Sequence, residues 1–418
     1  MQTRLADFVR DTPHGEEADA ILRSCVHCGF CNATCPTYQL LGDELDGPRG
    51  RIYLIKQMLE GQPAGAITRR HLDRCLTCRN CETTCPSGVQ YGRLIDIGRD
   101  LLERLSPRPL PERLARAALR RTLTTPGVFR PLLKLGQGVH GVLPGALRTH
   151  VPPSMPSRAQ PAAAGQGRLD RRMLVLQGCV QPALAPETNA AATRVLARLG
   201  IELVAAPGAG CCGAIDQHLA APEAARAAMR RNIDAWWPYV EAGVEAIVMT
   251  ASGCGSLVKD YGHHLRGDPA YAHKAARVAA LTRDLGEILA RENLSGLRVG
   301  PPRRVAFHPP CSLQHGQRLH GVIEGILAGL GHQLLPVDEA HLCCGSAGTY
   351  SLLQPELAGR LRARKLANLN ARGAELIATA NIGCQSHLAA ASDVPVVHWI
   401  SLLDTAGADQ RPPHTSQP

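Results

Sequence analysis

Cysteine spacing constrains this chain more than any other feature. Cys25-x2-Cys28-x2-Cys31-x3-Cys35-Pro36 recurs fifty residues later as Cys75-x2-Cys78-x2-Cys81-x3-Cys85-Pro86. Three thiolates at this spacing converge on one face of an iron–sulfur cube, and the fourth reaches a second cube, the bacterial ferredoxin pattern. Cys25, Cys28, Cys31 and Cys85 are therefore expected on one [4Fe–4S] cluster, and Cys75, Cys78, Cys81 and Cys35 on another. A pair of zinc sites is the competing reading, but zinc ribbons use C-x2-C pairs rather than triplets followed by x3 and Pro. Two clusters in one small module mean one-electron relay, which needs no catalytic residue of its own.

The other eight cysteines form a second duplicated pattern. Cys179, Cys211-Cys212-Gly213 and Cys254 recur as Cys311, Cys343-Cys344-Gly345 and Cys384. Self-similarity at this period implies two duplicated halves. Each set of four could hold an iron–sulfur cluster, hold zinc, or act as a redox-active thiol set.

Sixteen cysteines in 418 residues matter because of the compartment. The N-terminus carries Asp7 and no apolar run, so no secretory signal is expected. No stretch of 18 apolar residues argues for a transmembrane helix. A cytoplasmic chain keeps its thiols reduced, so the cysteines are read as metal ligands or redox groups rather than disulfides. Aromatic residues make up 3% of the chain, which argues against a base-stacking nucleic-acid binder.

The resulting order is a cysteine-motif domain (1–100), a connector (101–172) and two tandem repeats (173–300 and 301–410). In the first repeat, short apolar strands are expected at Met173–Leu176, Ile201–Ala205 and Glu245–Thr250, with helices at Thr188–Leu199 and Ala221–Trp237. In the second, strands are expected at Arg304–Phe307, His332–Val337 and Glu375–Ala378, with helices at Gly321–Leu330 and Leu357–Asn370. Alternating elements predict a parallel sheet covered by helices. Every repeat cysteine then lies beyond the carboxyl end of a strand, where open α/β sheets place their sites. The fold class is α+β multidomain, a mostly helical ferredoxin-type domain followed by two α/β Cys-Cys-Gly repeats.

Two signals are set aside. Gly208-Ala209-Gly210-Cys211-Cys212-Gly213 matches G-x-G-x-x-G, yet Ala340-His341-Leu342-Cys343-Cys344-Gly345 lacks the first two glycines, so what the repeats share is cysteine rather than a dinucleotide loop. His308 and His341 could assist or tune a metal site. The first repeat has Leu176 and Ala209 there, so packed or solvated histidines are the favoured reading, also for His315, His320 and His387.

The connector holds 13 Lys+Arg against 3 Asp+Glu, which is the whole net charge of +10. A short basic helix is expected around Glu112–Arg121, bearing Arg113, Arg116, Arg120 and Arg121 beside Leu114 and Leu119. It could dock on anionic lipid or an acidic partner. Pro152-Pro153-Ser154-Met155-Pro156 and the Ala/Gly run near Ala162 read as irregular linker.

With both cysteine patterns in hand, the chain resembles the iron–sulfur subunits of bacterial glycolate oxidase (glycolate dehydrogenase). More distantly it is similar to those of anaerobic glycerol-3-phosphate dehydrogenase, lactate-utilisation complexes and heterodisulfide reductase. The closer resemblance rests on domain order, on Asp46-Gly47-Pro48-Arg49-Gly50-Arg51-Ile52-Tyr53-Leu54-Ile55-Lys56, on His308-Pro309-Pro310-Cys311 and on Cys343-Cys344-Gly345-Ser346-Ala347-Gly348-Thr349-Tyr350. It implies an oxidoreductase subunit, not catalytic alone, that takes electrons from the FAD of a partner oxidising a 2-hydroxy acid. It would pass them to a membrane or quinone acceptor, on the inner face of the cytoplasmic membrane. The same role with D-lactate or glycerol-3-phosphate is the alternative, and a non-enzymatic metal-binding scaffold is another. The heterodisulfide reductase repeats end in C-x2-C, whereas these end in Cys254-Gly255-Ser256-Leu257 and Cys384-Gln385-Ser386-His387. One thiolate per repeat is absent, so the repeats are left as holders of iron–sulfur, zinc or nothing.

Overall fold

The structure, a computed structural model, describes residues 1–142, 151 and 171–404. Among the described residues every strand follows residue 170. The first domain is helical. α1 (Pro13–Ser24) starts at Thr12, whose hydroxyl accepts from Gly15 N at 3.1 Å, with Pro13 supplying a pre-set φ at the first turn. α2 (Phe30–Ala33) and α3 (Pro36–Leu41) follow, then α4 (Pro48–Leu59), α5 (Ala66–Asp73), α6 (Asn80–Thr84) and α7 (Tyr91–Leu105). α1, α4 and α7 close one core around Leu22, Ile55, Met58, Leu59, Leu94 and Ile95. Gly98 permits the contact of α4 with α7, because a Cβ there would stand 2.6 Å from Ile55 Cγ1. Leu101 and Leu102 belong to the same core, so this domain runs past the boundary expected at residue 100.

The connector is more ordered than its sequence suggests. In place of one short helix near Glu112–Arg121 stand two, α8 (Leu110–Thr124) and α9 (Pro126–Gly138). Pro126 ends one and opens the other, since proline suits a first helical turn and disfavours helix in the residue before it. The stretch expected to be irregular, 152–170, lies outside the described residues.

Each repeat is a four-stranded parallel sheet. The first comprises β1 (Arg171–Val175), β2 (Ile201–Val204), β3 (Ile247–Met249) and β4 (Thr282–Asp284), in the order β2-β1-β3-β4. The second comprises β5 (Arg304–His308), β6 (Gln333–Leu335), β7 (Leu376–Thr379) and β8 (Val396–His398), in the order β6-β5-β7-β8. The register pairs Leu174 with Ile247 in one sheet and Ala306 with Ile377 in the other. The edge strands β4 and β8 were not expected. Each has three residues, too few for a periodic signal, and Thr282-Arg283-Asp284 contains no apolar side chain.

The repeats share a core in which Met173, Val195 and Leu196 meet Val305, Phe307, Ile323 and Trp399. The seam is also hydrogen-bonded. Ser252 N donates to Ala380 O at 3.1 Å, Gly253 N to Asn381 Oδ1 at 3.1 Å, and His398 Nε2 lies 2.8 Å from Thr250 O. Both sets of strand ends, and so both cysteine sets, are thereby turned toward one region.

Candidate metal centres

The two ferredoxin motifs wrap their thiols with the same backbone device. His27 and Gly29 have φ of 60° and 87°, and Thr77 and Arg79, at matching positions, have 51° and 60°. Left-handed residues between ligands curl the loop so that main-chain N–H groups face inward; Thr77 N lies 3.4 Å from Cys75 Sγ. Three of these four residues carry side chains in a conformation costly for them, as happens at sites where the loop shape matters.

Around two of the eight thiols, the neighbouring thiols are those of the expected quartets. Burial pushes the Cys31 thiol up to about 11, with Cys25, Cys85 and Cys28 as its charged thiol neighbours. Burial raises Cys81 well above the ordinary range, beside Cys78, Cys75 and Cys35. Packed thiolates repel one another, so each quartet suits a polycationic inorganic core. The cysteines are free thiols throughout. Pro36 is the first residue of α3, with Cys35 as its cap, so proline redirects the chain directly after the crossing ligand.

A charge network lies beside the second quartet. Asp46 meets Arg74 Nη1 at 2.7 Å and His71 Nδ1 at 3.0 Å. Arg51 donates to His71 O at 2.7 Å and to Thr37 Oγ1 at 3.1 Å. Thr37 Oγ1 in turn lies 3.3 Å from Cys35 Sγ. Burial opposes the Arg51 charge, yet Tyr91, Cys75, Cys35 and Asp46 together hold its pKa above the usual arginine value. Asp46 and Arg51 lie in the segment that carries the resemblance, but their place beside the thiolates, with Thr37, His71 and Arg74, was not read from sequence; a buried arginine beside thiolates is invisible until the fold places it.

The repeat cysteines gather as two further sets at the strand ends. Gly213 N points at Cys211 Sγ (3.5 Å) and Gly345 N at Cys343 Sγ (3.4 Å), with φ of 97° and 93° at the two glycines. In the first repeat, hydrogen bonds from Cys179 and Cys212 hold the Cys211 thiol far below its ordinary range. Cys212 is raised by its bonds to Cys211 and Cys254 and by burial. In the second, Cys311 Sγ lies 3.9 Å from Cys343 Sγ. Gly208 to Gly213 turns into a five-residue helix, Ala214–His218, and Asn232 clamps it by accepting from Gly210 N at 2.8 Å and donating to Cys211 O at 2.9 Å.

The second quartet abuts the second repeat. Cys78 has Cys311 as its foremost charged neighbour, and Leu76 packs with Cys343 and Tyr350. Asn80 Nδ2 donates to His341 O at 3.3 Å, and Thr83 Oγ1 lies 2.9 Å from His315 Nδ1. A cavity of about 1060 Å3 opens where the domains meet, and Cys78, Cys179, Cys211, Cys254, Cys343 and Cys384 all reach it.

The histidines divide. His315 is packed and satisfied, its Nε2 2.9 Å from His341 O. His341 and His320 are exposed, and His387 sits 3.4 Å from Ala358 O. His308 is packed, but among the described residues neither ring nitrogen has a hydrogen-bond partner. The connector arginines divide as well. Arg116 meets Asp73 at 3.3 Å and Arg120 faces Asp216 at 3.8 Å, whereas Arg113 and Arg121 are exposed.

Comparison with known proteins matches both cysteine regions to families. The family described as a 4Fe-4S dicluster domain matches residues 21–89, and the cysteine-rich domain family matches 173–259 and 305–389. The chain is 54% identical over 407 residues to the glycolate oxidase iron-sulfur subunit of Escherichia coli (strain K12), covering 97% of this chain and 99% of that one. It is 30% identical over 391 residues to the probable glycolate oxidase iron-sulfur subunit of Bacillus subtilis (strain 168), covering 87% of each. Iron–sulfur binding by the first domain follows, and with it the conclusion that this chain belongs to the family of glycolate oxidase iron–sulfur subunits.

Proposed function

We propose that this chain is the electron-carrying subunit of a complex that oxidises glycolate to glyoxylate, an oxidoreductase acting on a CH–OH donor, and that it is not catalytic alone. Oxidation of the alcohol releases two electrons, which a flavin (FAD) on a partner subunit takes together. The two [4Fe–4S] clusters, when bound, supply one-electron redox chemistry. Cys25, Cys28, Cys31 and Cys85 would hold one, and Cys75, Cys78, Cys81 and Cys35 the other. The protein's part is to fix position, exclude water and set the local field. Thr37, Tyr91 and the buried Arg51 do this around the second quartet.

The observation that carries this reading is the pair of cysteine motifs packed in one helical core, with Cys78 beside Cys311 and Leu76 packed with Cys343. That contact supports a path from the first domain toward the cavity where the domains meet, which Cys78, Cys311 and Cys343 all line, with a membrane or quinone acceptor beyond it. The basic face of α8 and α9 supports peripheral docking on the inner leaflet of the cytoplasmic membrane. Arg113, Arg121, Arg130 and Lys134 are exposed there among exposed Leu110, Leu114, Leu132 and Leu135, a pairing that suits anionic lipid. Among the described residues no helix is long and apolar enough to cross a membrane.

The test is a spectroscopic titration of the complex isolated anaerobically. Glycolate, D-lactate and glycerol-3-phosphate are added separately while the broad iron–sulfur absorbance is followed. Preferential bleaching by glycolate is expected. Bleaching by another substrate moves the chain to a sister complex, and no bleaching with clusters and flavin intact removes the electron-transfer reading.

A further inference from the structure

We propose that the loop from Cys25 to Cys31 is the face on which the flavin-bearing partner subunit docks, so that electrons enter this chain beside Cys28; the proposal deepens the electron-transfer reading above and rests on it. Of the sixteen cysteines, Cys28 alone is exposed. The residues around it are apolar and uncovered. Val26 is 70% exposed and Phe30 61%, and Tyr53 is exposed as well, its ring 6.5 Å from that of His27. The loop closes over a small cavity lined by Cys25, Cys28, Cys31, Cys81 and Cys85. Single exposed apolar side chains are ordinary on a protein surface, but a group of them around one exposed thiol marks an interaction site.

The duplicated motif supplies the comparison. Val26 and Phe30 occupy the places that Leu76 and Asn80 hold in the second motif. Those two are 4% and 2% exposed. Leu76 packs with Cys343 and Tyr350, and Asn80 Nδ2 donates to His341 O at 3.3 Å. The second loop is therefore an occupied docking face, seated on the cysteine set of the second repeat. The first loop has the same backbone, with His27 and Gly29 left-handed where Thr77 and Arg79 are. Among the described residues nothing covers it. Apolar side chains left bare where their counterparts are buried in a contact are the mark of an interface whose other half is on another chain.

The occupant follows from what each end of the molecule offers. Cys78, on the second loop, faces Cys311 and reaches the large cavity. α8 and α9, with their exposed basic and leucine side chains, border that same cavity through Thr122, Leu123, Phe129 and Leu132. A membrane acceptor is thus served at the cavity end, which leaves the exposed thiol for the donor. The loop face is also unlike a lipid-binding one. The cation at its edge, Arg49, lies across Gly29, where a Cβ would stand 2.6 Å from its Nη1, and is paired with Glu44 at 2.6 Å. An apolar and aromatic centre with a paired arginine at its rim is the make-up of a protein–protein contact. Electron transfer falls steeply with distance, so the donor has to close on the exposed thiol. Only electrons cross the contact. The partner's flavin, reduced by the two electrons taken from the alcohol, is reoxidised one electron at a time; each electron passes inward toward the acceptor, and the flavin's protons leave on the partner's side.

The experiment co-expresses the full chain with the flavin-bearing subunit of its host's glycolate-oxidising complex and isolates the pair anaerobically through a tag on this chain. Co-isolated FAD and iron are measured, then the bleaching of the iron–sulfur absorbance by glycolate and by dithionite. Val26→Asp with Phe30→Asp should keep wild-type iron and wild-type bleaching by dithionite. Co-isolated FAD should fall by at least about tenfold, the loss expected when the centre of an interface is removed. Ile67→Asp puts the same charge on a comparably exposed apolar residue of α5 and should retain the FAD. Phe30→Ser is the milder variant should the paired aspartates cost iron, and it should lower co-isolated FAD with iron intact. Four results overturn the proposal: a wild-type chain that co-isolates no FAD, a Val26 or Phe30 variant with intact iron that keeps it, equal loss in Ile67→Asp, or a variant that loses self-association of this chain instead of FAD. A wild-type pair that holds FAD through this loop yet is not bleached by glycolate would remove the glycolate reading and leave the docking face standing. Glycolate bleaching that is equal in wild type and variants would remove the docking face and leave that reading.

Discussion

Arg51 and Asp46 form an ion pair inside the first domain, Arg51 Nη2 3.4 Å from Asp46 Oδ1, with side chains 1% and 0% exposed. Neither charge has water to turn to. Arg51 also lies beside Cys35 and Cys75, so the pair acts on the second quartet as well as on the fold.

Removing one member leaves the other charged and buried, which typically costs about 3–5 kcal/mol. Arg51→Met is expected to lower the urea concentration at which the iron–sulfur absorbance is lost. In variants that fold, the potential of the adjacent cluster should shift negative, because a cation no longer favours the added electron. A redox titration followed by electron paramagnetic resonance reads the shift; an unchanged potential would show that Arg51 acts on stability alone.

The crossed quartets predict a crossed phenotype. Cys85→Ser should remove the cluster associated with Cys25, Cys28 and Cys31, although it sits in the second motif, and Cys35→Ser should remove the other. Iron should fall from about eight to about four atoms per chain in each variant, as for two four-iron clusters. If Cys85→Ser instead abolishes the cluster nearest Cys75, the ligand sets are uncrossed. Cys25→Ser and Cys75→Ser should each stop electron delivery if the relay is linear.

The seam between the repeats is acid-sensitive at His398. Burial pulls its pKa down to about 4 from the unfolded value of 6.5. The unfolded chain therefore binds the proton first, and stability is lost as pH falls from about 6.5 through about 4, by an amount on the order of 3 kcal/mol. Asp284 runs the other way, since burial raises it to about 6. The clean measurement is thus a difference: the stability gap between the wild type and His398→Gln should shrink on acidification, and a gap constant from pH 7 to 4 would clear His398 of the effect.

Gly345 should tolerate substitution less well than Gly213. Both sit at positive φ, but a Cβ on Gly345 would meet Ala358 O at 2.7 Å, against 3.1 Å from Ala225 O at Gly213. The left-handed conformation alone costs a side chain about 1–2 kcal/mol. Gly345→Ala adds a clash with backbone that cannot swing away. Urea unfolding of the two variants should rank them in that order, with metal content of the second repeat falling in Gly345→Ala.

Charge reversal on the exposed face of the connector tests docking. Arg113→Glu with Arg121→Glu and Lys134→Glu should abolish cosedimentation with vesicles containing anionic phosphatidylserine and leave cluster absorbance unchanged. Arg116→Gln should leave vesicle binding intact, because Arg116 is engaged with Asp73 and Glu112. Equal loss in both variants would mean that binding depends on the ion pairs that hold α8 in place rather than on its exposed charges.

The cysteine chemistry was readable in the chain because ligand spacing is a local property. Three thiols at x2 intervals converge on one centre whatever surrounds them, and the x3-Pro that follows sends the fourth elsewhere. The duplication was equally plain, and with it three strands of each sheet, since buried parallel strands such as Leu174–Val175 and Ile247–Met249 are continuous apolar runs. The edge strands Thr282–Asp284 and Val396–His398 were not readable. Their structure comes from pairing with a neighbour, not from their own pattern.

The local code thus determined which regions carry the cysteine chemistry and how many times each unit repeats. Tertiary structure decided the rest. It carried α7 past residue 100, folded the connector into two helices, and turned Arg116 and Arg120 inward while leaving Arg113 and Arg121 outside. It placed the Asn80–Thr84 helix on the second repeat, and it brought His308 to Cys344 and Cys384, residues 36 and 76 positions away. In sequence, His308 is one histidine among seventeen. What sets it apart is burial without a hydrogen-bond partner among the described residues, and burial is decided only when distant segments close over a side chain.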